Sequence, residues 1–482
     1  MQLYNKINYL MKKIILFLSL IFIVIVVLVG VPFYKKYQKK SQLQCKNCNV
    51  LIVGFDAEQF KHLSYAGYSK ETSPVQDSLA KEGFVFTNTI AQSSWTIPSF
   101  MSYFTSLYPS EHKLINKFIK FFEDEKIISN FKEISPDVET LASVFKENGY
   151  ETVAFTGDAG VGAQFGYDKG FDVYIDSPKP FGGAEISIPP AIEWLKNNKN
   201  QKFFMFLHSY GIHGQYDPPE GYSKKFLDFD YAGPLKGGKE EQAKLREEGL
   251  ANGKLSLTEE DYKFWRALYD EKIFNNDKKI GEFLEEFKKL DLEKNTIIIF
   301  LSDHGTEIGE HGRFDHGFTL YDELIHVPLI IKFPSNISGV INEQTRAIDL
   351  MPTIFNVVGF KIDDKIKSQM RGKSLIPLMM GEENVGRDAF SETDYRDYTH
   401  KKSLRTADGW KFIYTFENDE KELYNIKSDP GEMDNLIEKE PQISYEMEQK
   451  LFEYIKNTGQ DENKLKETGC LPVYGEICTD KI

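Results

Sequence analysis

The sequence predicts an α/β protein with a mostly parallel sheet sandwiched by helices, and three observations carry that prediction. Near-continuous apolar runs recur along the chain, as strands buried on both faces require. Helical patterns separate them, which favours parallel crossovers. Finally, acidic and imidazole side chains stand at the carboxyl ends of several of these runs, the edge at which open α/β sheets bind ligands.

The elements follow in order. Residues 1–13 form a short tail. Residues 14–33, Ile14 to Phe33, are apolar apart from Ser19, Gly30 and Pro32. At about 1.5 Å per residue such a run reaches roughly 30 Å, one hydrocarbon core, and predicts a single transmembrane helix. A cleaved signal peptide would end in small residues, and Val29-Gly-Val-Pro-Phe-Tyr34 offers no Ala-x-Ala-like site. Lysines flank both ends, so charge asymmetry leaves the orientation open. The short N-terminus ahead of a large body predicts a body outside the cytoplasm. A basic stem, residues 34–48, follows.

Strands are predicted at Asn49–Phe55, Thr152–Thr156, Phe203–His208, Thr296–Ser302 and Leu329–Phe333. Val138–Asn148 reads as a helix stopped by Gly149. Ile273, Phe274, Ile280, Phe283, Leu284 and Phe287 make one apolar face of another. Residues 220–262 are rich in Lys, Glu and Gly without clear periodicity and read as a surface insertion. The main body spans 49–384. From 385 to 482, aromatic-rich segments such as Trp410–Phe416 predict a small antiparallel sheet with a terminal helix.

Composition narrows the class. The 482 residues carry 59 basic and 73 acidic side chains, a net −14, and 14% aromatics. Residues 1–48 hold eight lysines and no acid, so the remainder carries −22. An acidic body argues against nucleic-acid binding, which needs a basic face. The basic stem suits anionic head groups. The length supports a sizeable core without help from disulfides or metals. Cys45, Cys48, Cys470 and Cys478 lie at the two ends. In an exported domain they read as disulfides stapling the termini, with three pairings open. The C-x7-C spacing of the second pair, without a neighbouring histidine, speaks against zinc. Gly160-Val-Gly162 with Gly166 is one residue too long for a dinucleotide fingerprint.

Chemistry concentrates at the strand ends. Asp56 ends the first predicted strand, His208 a middle one, and Asp303-His304 a late one. Carboxylates converging with an imidazole suit a divalent cation such as Zn²⁺ or Mn²⁺. Between the first strands, Trp95-Thr96-Ile-Pro98 begins a helical run, because Pro98 favours a first turn. A threonine hydroxyl at a helix N-terminus faces unpaired N–H groups and suits an attacking alkoxide. The plainer reading is that Thr96 caps the helix.

These segments resemble, in order from about residue 49 to 440, the sulfatase family of the alkaline phosphatase superfamily. The opening Asn49–Asp56, Gly67-Tyr-Ser69, Thr72-Ser-Pro74 and Phe86-Thr-Asn88 carry the resemblance, as do Trp95–Ser99 and Thr105–Pro109. It continues through Ser302–Gly305, Gly309–Gly312, Asp315-His-Gly317, Thr319–Glu323 and Val327–Leu329. Glu422-Leu-Tyr424, Asp429–Glu432 and Asn435-Leu436 complete it. The resemblance implies an alkaline-phosphatase-like fold. It also implies one divalent metal, with Zn²⁺ or Mn²⁺ ahead of Ca²⁺ or Mg²⁺. Asp56, Asp303 and His304 fall on the metal-ligand positions, and Thr96 falls on the nucleophile, where it too would touch the metal. His213 matches a histidine that contacts the substrate oxyanion, and His316 falls where members carry a Lys or His near the same group.

This chain departs from the pattern in four places. Sulfate-ester members convert a Cys or Ser within C/S-x-P-x-R to formylglycine, a conversion closed to Thr96. Phe100 stands in the Arg position, Ala57 replaces a second Asp, and no Gly-Lys-Trp-His element follows Tyr150. Relatives with a threonine nucleophile act on phosphate esters or transfer phosphoethanolamine. The expectation is therefore a membrane-anchored, metal-dependent ester hydrolase favouring phosphate mono- or diesters over sulfates, acting through a covalent Thr96 intermediate on an ester that a glycan or lipid head group could carry. Two alternatives remain: a phosphoryl-group transferase acting on surface glycans or lipids, and a catalytically inactive binding protein of the same fold.

Overall fold

The computed structural model describes residues 1–25, 31–115, 118–123, 126–131, 133–216, 225–227, 231–395, 399–461 and 465. Its frame is a nine-stranded mixed sheet. From edge to edge the strands run Gly339–Ile341, Phe84–Ile90, His326–Lys332, Thr296–Ser302, Asn49–Phe55, Phe203–Ser209, Glu151–Phe155 and Val173–Ile175. Thr345–Arg346 also pairs with Phe84–Ile90. Asn49–Phe55 lies parallel to both neighbours, with Gly54 opposite His208 and Phe55 opposite Ser302. This register brings Asp56, Ser209 and Asp303 to one edge.

Two expected strands have the predicted limits, Asn49–Phe55 and Thr296–Ser302, and two others lie within a residue of them. The last, predicted at Leu329–Phe333, runs from His326 to Lys332 and is antiparallel to both neighbours, so the sheet is mixed. Phe84–Ile90 was not expected as a strand. It follows the helix Pro74–Glu82 directly, and Thr87-Asn88 interrupts its apolar run.

Alternate residues divide the core, as a pleated strand requires. Val50, Ile52, Phe204, Phe206, Ile297 and Ile299 pack on one face, against the helices Thr96–Thr105, Leu141–Glu147 and Leu350–Val358. Leu51, Val53, Phe203, Met205, Ile298 and Phe300 pack on the other. There the long helix Glu259–Lys289 buries Ile273, Ile280, Phe283 and Phe287, the face predicted for it. Thr258 starts this helix by accepting the amide N–H of Asp261. Each such side chain, fully buried, stabilises by about 1.5–3 kcal/mol.

The predicted C-terminal sheet is observed as four antiparallel strands, Ala389–Asp394, His400–Arg405, Trp410–Thr415 and Glu420–Asn425. The terminal helix Pro441–Asn457 covers it with Met447, Leu451 and Ile455. Its apolar cluster reaches Tyr108 and Ile348 of the body.

Three expectations meet the structure here. Among the described residues, no helix is long and apolar enough to cross a membrane; residues 26–30 of the predicted anchor lie outside them. Cys45 is bonded to Cys48, closing a local turn rather than tying one terminus to the other, and Cys470 and Cys478 lie outside the described residues. The predicted insertion at 220–262 contains a regular helix, Lys239–Asn252. Its apolar periodicity is weak because it packs mainly through polar contacts.

Candidate active site

Trp95, in extended conformation, occupies the position before the helix Thr96–Thr105, so Thr96 is the first helical residue and not its cap. That step turns the hydroxyl into the sheet edge. Thr96 Oγ1 donates to Asp56 Oδ2 at 2.8 Å and lies 3.3 Å from His304 Nε2. The helix is pinned there by Ser99, whose hydroxyl donates to the Asp303 carbonyl at 2.6 Å, and by Tyr103, which donates to the Ser302 carbonyl at 3.1 Å. On the other side the Gly160 turn closes on Thr96. A Cβ at Gly160 would come within 2.8 Å of the threonine side chain, and the Gly160 amide donates to Tyr210 Oη at 2.6 Å. The glycine cluster dismissed as a nucleotide fingerprint is thus a wall of this site.

Backbone groups orient the acids. Asp303 Oδ1 accepts the amides of His304 at 2.8 Å and Ala57 at 3.2 Å, so Oδ2 is left facing the centre without a hydrogen-bond partner. Asp56 Oδ1 is likewise unpartnered. His304 Nδ1 lies 2.6 Å from the Gly305 carbonyl. A carbonyl only accepts, so Nδ1 carries the proton and Nε2 turns its lone pair towards Thr96 and the acids. Burial, followed by the neighbouring His316, keeps this imidazole neutral. Burial also pushes both carboxyls up from the usual range, with Asp56 adding to the effect on Asp303.

Two fully buried carboxylates are costly unless compensated. Among the described residues, neither has a lysine or arginine partner; their ion-pair contacts are to His213 and His304 alone. One ligand atom from each of Asp56, Asp303 and His304 falls within 4.8 Å of the others. Two orphaned oxygens and a lone-pair nitrogen converging in a buried pocket fit a divalent cation.

The other predicted imidazoles flank this centre. His213 Nε2 lies 3.9 Å from Asp56 Oδ1, and burial lowers its pKa despite Asp56. The His316 ring centroid is 4.5 Å from that of His304 and 5.0 Å from that of His213. His316 Nδ1 lies 2.7 Å from Asp315 Oδ1. His208, at its predicted strand end, stands apart from the ligand cluster: it packs against Phe100 and Tyr210 at ring distances of 5.1 and 4.6 Å. Burial drives its pKa down to about 3. Phe100 is fully buried against Phe206 and His208. Sequence reasoning missed Arg246, whose Nη1 reaches Asp315 Oδ2 at 3.1 Å. It also missed Tyr210 and Gly160.

Fold and site together define a hydrolase domain of the alkaline-phosphatase type. A profile of the family described as Sulfatase matches residues 48–360, and the chain belongs to that family. A second profile, the C-terminal region of N-sulphoglucosamine sulphohydrolase, matches residues 309–457. Among curated relatives, a Δ4,5-hexuronate-2-O-sulfatase of Bacteroides thetaiotaomicron is 23% identical over 88% of this chain and 90% of its own length. An N-acetylglucosamine-6-O-sulfatase of the same organism is 24% identical over 82% and 84%. Among solved structures, a 2-O GAG sulfatase superimposes with a TM-score of 0.69 at 21% identity, covering 86% of this chain and 94% of that one. The phosphonate monoester hydrolase of Agrobacterium radiobacter superimposes with a TM-score of 0.66 at 18% identity, covering 85% and 96%.

Proposed function

We propose that this protein is a metal-dependent hydrolase that cleaves anionic esters, phosphate mono- or diesters ahead of sulfates, through a covalent intermediate on Thr96. The observation that carries the reading is the Thr96 hydroxyl held between Asp56 Oδ2 and His304 Nε2 at the start of a helix. Asp56, Asp303, His304 and Thr96 would hold the cation, with Zn²⁺ or Mn²⁺ best suited to the mixed oxygen and nitrogen donors. Such an ion lowers the pKa of a hydroxyl and neutralises charge on the transferring group.

The chain's own residues supply the rest. Thr96 Oγ1 attacks phosphorus and releases its proton towards Asp56 Oδ2, to which it already donates. The bound anionic ester draws a proton onto His213, whose Nε2 then donates to an equatorial oxygen, where charge develops. As the bond from phosphorus to the leaving oxygen breaks, protonated His316 gives that oxygen its proton. Water then attacks the phospho-threonine and loses a proton to His316; Thr96 recovers its own from Asp56. Threonine cannot form the formylglycine aldehyde, which favours phosphoryl over sulfuryl chemistry. The relatives named for sulfated saccharides support a saccharide carrier for the ester. Residues 14–33 are proposed to anchor the protein in the cell membrane with the catalytic body outside the cytoplasm.

The test compares turnover of 4-nitrophenyl phosphate, bis(4-nitrophenyl) phosphate and 4-nitrophenyl sulfate by the full chain with Zn²⁺ or Mn²⁺. Phosphoester cleavage is expected to fall by roughly 10³-fold or more in Thr96→Ala. Mass spectrometry of quenched wild-type protein should find phosphate on Thr96. Undiminished cleavage by Thr96→Ala would refute the nucleophile, and faster sulfate than phosphate turnover would refute the substrate preference.

A further inference from the structure

The helix Lys239–Asn252 has almost no apolar stripe, yet one of its faces reaches the active site through polar contacts. Gln242, Arg246 and Gly249 follow each other at four and three residues, so they align along that face. Gln242 Oε1 accepts the amide of Gln215 at 2.7 Å, two residues beyond His213. Gln215 has φ +83°, a left-handed backbone that a glutamine adopts only when its surroundings impose it. Arg246 Nη1 reaches Asp315 Oδ2 at 3.1 Å, and Asp315 Oδ1 lies 2.7 Å from His316 Nδ1. Asp315 is also left-handed, at φ +86°. The Gly249 carbonyl accepts from Arg313 Nη1 at 2.8 Å, tying down the segment that leads to Asp315.

We propose that this helix is a splint for the two substrate-facing imidazoles, with Arg246 a positioning residue that acts on His316 through Asp315 and Gln242 one that acts on the loop carrying His213. The inference rests on the reading of His316 as donor to the leaving oxygen. Arg246 holds one oxygen of Asp315, which fixes the carboxylate plane. The other oxygen, 2.7 Å from Nδ1, then favours the proton on that nitrogen and leaves proton transfer to Nε2. Without Arg246 the carboxylate can rotate, and the ring loses both its tilt and its tautomer.

Leaving-group dependence separates these roles from plain structural support. A dinitrophenyl leaving group departs without a proton, whereas a phenolate needs one. For Arg246→Ala, kcat/KM is expected to fall about tenfold or more on phenyl phosphate and less than about threefold on 2,4-dinitrophenyl phosphate. Arg246→Lys should recover part of the loss. Gln242→Ala, which bears on His213 and the oxyanion, should lower both substrates alike. A uniform loss in Arg246→Ala, or a leaving-group-selective one in Gln242→Ala, overturns the assignment. A second readout is independent of turnover: ¹⁵N shifts of His316 in the full chain should report protonation at Nδ1 in wild type and a shifted tautomer in Arg246→Ala. If wild type cleaves neither ester, the hydrolase reading fails, while unchanged His316 shifts in Arg246→Ala defeat the splint by themselves.

Discussion

Two of the sets of buried carboxylates in this chain are balanced in opposite ways. At the sheet edge Asp56 and Asp303 are fully buried, each with an unpartnered oxygen, and burial pushes their pKa values up. Where the C-terminal sheet meets the body, Asp322 and Glu432 are also buried, but cations cross the junction to them. Lys411 Nζ lies 2.8 Å from Asp322 and 2.7 Å from Glu432, and Arg405 lies 3.0 Å from Asp322. Against burial, which raises it, Arg405 and Lys411 hold the Asp322 carboxyl below the usual range. The junction carries its own cations, although burial still raises the Glu432 carboxyl to about 8, whereas the sheet-edge pair has no lysine or arginine partner among the described residues. What distinguishes the two regions is therefore where the positive charge comes from, not burial.

The largest expected effect breaks the first half of the comparison. Asp303→Asn should reduce phosphoester turnover by roughly 10³-fold or more, because Lewis-acid stabilisation is worth several kcal/mol. In metal-free protein the same substitution should raise the melting temperature, since it removes a buried charge that has no cation. Metal at about 100 times its Kd should add about 2.7 kcal/mol to wild type and little to the variant, as calorimetry would show.

The second half breaks with the opposite sign. Asp322→Asn leaves Lys411 and Arg405 short of a partner and should cost about 3–5 kcal/mol in chemical denaturation while metal binding persists. A loss of metal affinity as large as that of Asp303→Asn would mean the two regions are not independent.

The smallest effect is in the pH profile of stability. Asp322 has a folded pKa below its unfolded 3.8, so its contribution is present above that value and disappears as the pH falls below it. Asp277 is the reverse case: burial raises its carboxyl from 3.8 to about 7. Its contribution is full below 3.8 and declines as the pH rises towards 7. Thermal melts of Asp277→Asn should therefore flatten between pH 4 and 7, and those of Asp322→Asn below pH 4.

The apolar runs were legible because a strand buried on both faces leaves few other readings for a segment such as Thr296–Ser302. The long helix was legible by its period, and Asp56, Asp303 and His304 by their place after such runs. Their role as a set rested further on the resemblance to known relatives. Direction and company were not legible. His326–Lys332 is antiparallel because of what it pairs with, and periodicity carries no sign of that. Helix Lys239–Asn252 hid because, apart from Leu245, it packs through hydrogen bonds and an ion pair, which leave no apolar pattern. Nor could the chain alone say whether Thr96 caps its helix or faces the acids; one residue of register, with Trp95 before the helix, decides that. By itself the sequence determined five of the sheet's strands, the long helix beside them and the strand ends that carry the acids, since local periodicity and burial specify those. Only the tertiary structure decided which carboxylates meet a cation and which meet each other, because charge compensation depends on partners some 20 to 250 residues away in the chain.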